Sequence, residues 1–311
     1  MPDQVGYSFY HRNKKGKDSC NGLIGQAWIF EALAEATRLL NAGKYALLAE
    51  EVFLQHSFNE EYGLWNHLEI NGRVLTIDGT FNHQLWFAAC ASLIESKQNA
   101  EIRNRVKRFM DCLPRNLTIL KTGLVYHPIE RSLEEQITHN FTQRDKVKRC
   151  LGGIIKVLKS IKWIERILTR RRIKGERYRS VGYHSFNMYA FAILKTQFPT
   201  HPFWNSTSLR KAVDYMLTDE YRNNIDNNKY SYSYNPPGFE VPYSLDILGD
   251  INEEKLTEIS QWWINEQFRR CYNKKTGMMD RNTDDTLTHT ARIYELCRLP
   301  IDVLKGISIW E

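Results

Sequence analysis

Asp78, Glu240, Asp284 and Asp285 stand at turns that open largely apolar runs, and His83, His184 and His289 each lie a few residues into such a run. Carboxylates in that position suit glycosidic cleavage. One acid protonates the leaving oxygen, and a second carboxylate activates water or stabilises the charge that develops on the sugar. Hydration of an unsaturated uronide needs a single positioned carboxylate, and histidines on opposite faces of a sugar ring suit epimerisation. Glu240, Asp285, Asp78 and His184 are therefore the expected catalytic residues. Each carboxylate also has a structural use. Asp78 and Asp285 are good helix caps, and Glu240 could form an ion pair. Glu240 follows Pro236-Pro237-Gly238-Phe239 and precedes Val241-Pro242, so an irregular turn is expected there.

The expected substrate-binding set is Gln26, Trp28, His83, Gln84, Trp86, Tyr183, Asn187, Tyr243, His289 and Arg292. Amides offer paired hydrogen bonds and aromatic rings offer flat apolar faces with a polar edge, which suits a sugar. Arg292 lies one turn after His289 and could bind a carboxylate or pair with Glu295. His67 and His127 fall on the stretches that precede two of the runs. No His-x-His or His-x-x-x-His spacing occurs, so neither metal nor cofactor is expected.

The elements that would position these residues repeat. The stretches NGLIGQAWIFEALAEA from Asn21, DGTFNHQLWFAACASLIE from Asp78, VGYHSFNMYAFAILK from Val181, PPGFEVPYSLDIL from Pro236 and DDTLTHTARIYEL from Asp284 each read as a turn opening an apolar helix. A helix apolar nearly all round belongs in an interior. More polar amphipathic helices are expected at residues 42–55, 99–113, 207–217 and 252–271. Short Gly-apolar segments before the inner helices read as extended loops or small β-hairpins. The unit is outer helix, loop, inner helix, with a period of about 50–60 residues and one double-length gap. The expectation is one all-α toroid domain over residues 1–311, its inner-helix mouths gathered at one end.

The inner-helix starts NGLIGQAW, TFNHQLWFAA, YHSFNMYAFA and LTHTARIYE resemble the six-hairpin glycosidase superfamily, over roughly residues 21–296. Within it the chain is most similar to members found in surface-polysaccharide biosynthesis clusters. The resemblance implies an (α/α)6-type toroid; five inner helices are recognisable, so either one hairpin is lacking at the N-terminus or residues 129–145 form a degenerate inner helix. It also implies a carbohydrate substrate, with hydrolysis or elimination of an oligosaccharide or lipid-linked glycan as the leading activity. A non-catalytic glycan-binding or scaffolding toroid and a sugar epimerase are the alternatives, because one fold hosts many reactions.

Composition narrows the setting. The 311 residues are 42% hydrophobic and 25% charged, and no run is long and apolar enough to span a bilayer. The N-terminus has no apolar signal core, and six scattered cysteines without a Cys-x-x-Cys pair fit a reducing compartment. The net charge of +7 comes from one segment. Residues 144–179 carry 14 Lys/Arg and three acids, leaving the rest at −4. Leu151, Ile154, Ile155, Leu158, Ile161 and Leu168 form its apolar stripe, and Lys156, Lys159, Lys162 and Arg166 fall between them. This basic amphipathic insert is expected to lie on an anionic membrane surface, with Lys156, Lys159, Lys162, Trp163, Arg170, Arg171 and Arg172 facing the lipid. The expected location is the cytoplasm, peripheral at the inner membrane face. No base-stacking aromatic pattern accompanies this charge, so no nucleic acid partner is expected.

Overall fold

A computed structural model of the protein describes residues 22–68, 72, 74–96, 99–129, 173–283 and 285–309. The described chain is mostly helical with few strands. Its longer helices are α1 (Gly22–Leu40), α2 (Lys44–Gln55), α3 (Phe81–Ala91), α4 (Asn99–Asp111), α5 (His184–Gln197), α6 (Thr207–Tyr215), α7 (Asp219–Asp226), α8 (Pro237–Leu248), α9 (Glu253–Cys271) and α10 (Thr286–Ala291). A 3-10 turn, Arg292–Arg298, continues α10. Residues 144–172 of the basic insert over 144–179, with all seven expected lipid-facing residues, lie outside the described residues, as does Asp284.

Hydrophobicity divides the helices into two kinds. In α5 every residue from His184 to Leu194 is buried, and in α3 every residue except His83 is. α4, α6 and α7 have polar outer faces, and Ser206, Thr218 and Asn252 cap α6, α7 and α9 with side-chain hydrogen bonds. The apolar helices pack in chain order: α1 on α3, α3 on α5, α5 on α8, and α8 on the 292–298 turn. Glu31 of α1 accepts hydrogen bonds from Arg298 and Tyr294 of that turn, which joins the last of the series to the first. Among the more polar helices, α2 packs on α1, α4 on α3, and α9 on α8.

Aromatic side chains set the spacing of the inner series. Trp86 stacks on Phe186 at 4.3 Å, and its indole N–H donates to the Phe186 carbonyl at 3.0 Å, clamping α3 to α5. Tyr189 and Tyr243 meet between α5 and α8 with their rings tilted and 5.0 Å apart. Close approach of α9 to α8 depends on Gly238, where a Cβ would lie 2.3 Å from that of Gln267.

The segment around Glu240 corrects the irregular turn expected from its prolines. Glu240 lies in the first turn of α8, and Pro242 is inside the helix. Burial of α8 between α5 and α9 outweighs the hydrogen bond that a proline removes. The expected loop hairpin is found before α3. Three strands, β1 (Phe58–Asn59), β2 (Leu64–Leu68) and β3 (Val74–Ile77), form an antiparallel sheet in that order.

Candidate functional site

The β2–β3 hairpin and the start of α3 build an acid–imidazole pair. Pairing of Asn66 with Ile77 sets His67 beside the end of β3, where Asp78 follows. Gln84 braces the junction: its Oε1 accepts the Trp65 N–H at 2.9 Å, and its Nε2 donates to the carbonyls of Trp65 and Asp78 at 2.8 and 2.9 Å. Asp78 Oδ1 accepts the Thr80 N–H at 2.9 Å, a local turn that leads into α3. Its Oδ2 lies 2.7 Å from His83 Nδ1 and 3.6 Å from His67 Nε2.

Burial alone would raise the Asp78 pKa, but the charge and hydrogen bond of His83, then His67 and the Thr80 N–H, outweigh it and bring the carboxyl to about 2. Asp78 is thus an anion at neutral pH and can only accept, so the His83 nitrogen facing it must carry a proton. That leaves His83 Nε2 directed away from the pair, and the side chain is 24% exposed. His127 closes the other side. Its carbonyl accepts the Phe81 N–H at 3.1 Å, and its ring lies 4.8 Å from that of Tyr183. Burial, with the Arg179 and His83 charges, lowers the His127 pKa to about 3, so it is neutral.

Glu240 belongs to a second, closed cluster. It accepts the Ser185 hydroxyl at 2.6 Å and an Arg292 N–H at 2.6 Å, while Arg292 Nε donates to Glu295 at 2.6 Å. Glu240 and Glu295 are 0% exposed. Burial raises both carboxyls against the pull of Arg292, and Glu295, which also meets the Glu240 charge, reaches about 8. The other oxygen of Glu295 has no partner among the described residues. Burial and the neighbouring Glu240 thus favour the protonated form of Glu295, and both carboxyls share the single Arg292 guanidinium. Glu31, Arg298, Tyr294 and Tyr189 form an adjoining network. Sequence reasoning passed over Glu31 and Arg298; the available signal was Glu31, an acid set between Phe30 and Ala32 in the apolar run of α1.

Apart from Gln84 and Tyr183, the other expected residues do not join His83. His184 accepts the Val125 N–H and donates to the Ala212 carbonyl of α6, so both ring nitrogens serve the scaffold. His289 does likewise: Gln267 of α9 donates to its Nε2 at 3.0 Å, so Nδ1 carries the proton toward Thr283 at 2.9 Å. These histidines bond back into outer helices because a buried imidazole must satisfy both nitrogens. Trp86 and Tyr243 are packed core, Gln84 is the brace described above, and Asp285 caps α10 through the Thr288 N–H. Arg292 is enclosed with Glu240. Both amide atoms of Asn187 are buried without a partner among the described residues. On α1, Gln26 is half-buried and Trp28 is exposed.

No family model matches the chain, and no solved structure matches it. Among the described residues no helix is long and apolar enough to cross a membrane. The chain is 38% identical over 301 residues to archaeal glycosylation protein Q of Haloferax volcanii, covering 94% of this chain and 76% of that protein. With that identity along nearly its whole length, the chain belongs to the family of archaeal glycosylation protein Q.

Proposed function

We propose that this protein acts on a glycan in a glycosylation pathway, by proton transfer at His83. The carrying observation is that His83 is the one residue of α3 that is not buried, and that it is held by an ionised Asp78. The tautomer so fixed presents Nε2 as a base, and Asp78 stabilises the imidazolium that forms. Both oxygens of Glu240 are bonded and buried, and those of Asp78 face Thr80 and His83. Two-carboxylate hydrolysis is therefore less well supported at this mouth than removal of a C–H proton beside a carbonyl or carboxylate, the first step of elimination or epimerisation. The name of the relative supports the pathway.

The same reading takes the fold as a single α/α toroid domain, supported by the inner series and its Glu31 junction. Residues 144–179 form its basic insert, which binds an anionic membrane surface where lipid-linked glycans are handled. Incubating the purified protein with oligosaccharide released from the glycoproteins of the producing cells tests the proposal. Wild type converts it and H83A does not. Binding without conversion by wild type would leave a glycan-binding protein instead.

A further inference from the structure

Beside the Asp78–His83 pair, tyrosines form a row that the proton-transfer step does not use; Tyr183, at its near end, also packs against the core. His127 leads to Tyr183 at 4.8 Å, Tyr183 to Tyr230 and Tyr234 at 5.6 and 5.9 Å, and Tyr230 to Tyr178 at 6.1 Å. Tyr178 and Tyr234 are 40% and 45% exposed. Taking the proton-transfer site as given, we propose that this row is a stacking track for successive sugars, so that the ligand of the site is an oligosaccharide and not a single sugar.

The scaffold beneath the row is built to hold the rings still. Asn235, buried, donates to the carbonyls of Gly182 and Tyr230, both at 2.9 Å. Asn228, also buried, donates to the Tyr178 carbonyl at 2.7 Å and accepts the Tyr230 N–H at 2.9 Å. A Cβ on Gly182 would lie 2.5 Å from that of Tyr230, so only glycine lets the loop seat there. The Tyr178 hydroxyl accepts the Lys229 N–H at 2.8 Å. The exposed rings, Tyr178 on a helical stretch and Tyr234 on the turn that packs beside it, are held by buried locks and so are pre-ordered at small entropic cost. Their phenols, with Arg179 and Lys229 over Tyr230 at 5.8 and 4.8 Å, supply hydrogen-bond donors along the edge. Each ring-to-ring step is close to the length of one pyranose. The row starts beside the site, where the carbonyl of the buried His127 accepts the N–H of Phe81, two residues before His83.

The test is a titration with size-fractionated fragments of the oligosaccharide released from the producing cells' glycoproteins, followed by calorimetry. Wild-type affinity should rise with fragment length. Y234A and Y178A should each lose about 3- to 10-fold on the longest fragment and much less on the shortest, while Y234F keeps the wild-type value. Both positions are exposed, so folding is preserved and far-UV circular dichroism checks it. Length-independent wild-type affinity, or full affinity of both alanine variants for the longest fragment, would overturn the track. So would equally tight binding of a uridine oligonucleotide. Loss of turnover in H83A with no length effect in the tyrosine variants would reject the track alone. Length-dependent binding without any turnover would reject the reaction alone.

Discussion

Asp78 Oδ2 lies 2.7 Å from His83 Nδ1, and this contact joins the end of a β-hairpin to the first turn of a helix whose other residues are all buried. The carboxylate is buried and the imidazole reaches solvent. One partner is thereby fixed as an anion and the other is offered to a ligand.

The first prediction concerns that contact. D78N keeps the shape but lets an amide donate toward Nδ1, so the tautomer that exposes a basic Nε2 is no longer imposed. Turnover should fall on the order of 10²–10⁴-fold, mostly in kcat. Unchanged kcat in a folded D78N protein would remove the pair from the mechanism.

A second prediction separates Glu240 from the chemistry. R292M leaves Glu240 without its charge partner in the core and should cost about 3–5 kcal/mol in urea unfolding. Combining E240Q with R292M should recover part of that loss, because no unpaired charge remains. If R292M unfolded at the wild-type midpoint, the cluster would not be structural.

Stability should depend on pH in two opposing ways. Burial lowers His56, His184 and His289 to about 4 and His127 to about 3, below the unfolded value of 6.5. These groups resist protonation in the fold, so stability is lost as pH falls from about 6.5 toward 4. Glu295 is raised from 4.5 to about 8, so its contribution is lost as pH rises through that window. The urea midpoint should therefore rise from pH 4 to about 6.5 and then decline toward pH 8. E295Q should flatten the decline above pH 6.5 and steepen the rise between about pH 4.5 and 6.5.

Packing of α8 on α9 gives a fourth test. In G238A the new methyl meets Gln267 and the Trp263 carbonyl, at 2.3 and 2.4 Å before relaxation. Overpacking of this kind costs about 1–3 kcal/mol. A thermal midpoint equal to wild type would show that α9 moves away freely.

The basic insert gives a fifth. Each basic residue near an anionic bilayer contributes about 1 kcal/mol, and salt weakens the attraction. Reversing Arg170, Arg171 and Arg172 to Glu should release the protein from phosphatidylserine vesicles in flotation. Binding that ignores lipid charge would exclude this role.

Much of the helical scaffold was legible in the sequence, because α3, α5 and α8 must be apolar nearly all round to sit inside. The Asp78–His83 pair was half legible. Both residues stood out, but their bond depends on a turn through Gly79 and Thr80 that periodicity does not encode. His184 and His289 look the same in the sequence as His83. What distinguishes them is whether an outer helix offers a backbone carbonyl or an amide partner, as Ala212 and Gln267 do. Glu240 looked catalytic because an acid at an apolar helix start is unusual. Its partner Arg292 lies 52 residues away and is brought in only by packing of α8 against the 292–298 turn.

The most direct test of proton transfer at His83 is isotope exchange. The purified protein is incubated in deuterium oxide with the oligosaccharide released from the producing cells' glycoproteins, and the recovered sugar is read by mass spectrometry and proton NMR. The account predicts that wild type either washes deuterium into one carbon-bound position or eliminates across that carbon, and that H83A does neither. Exchange or elimination in H83A at the wild-type rate would contradict it, as would glycosidic cleavage by wild type without any change at a C–H bond.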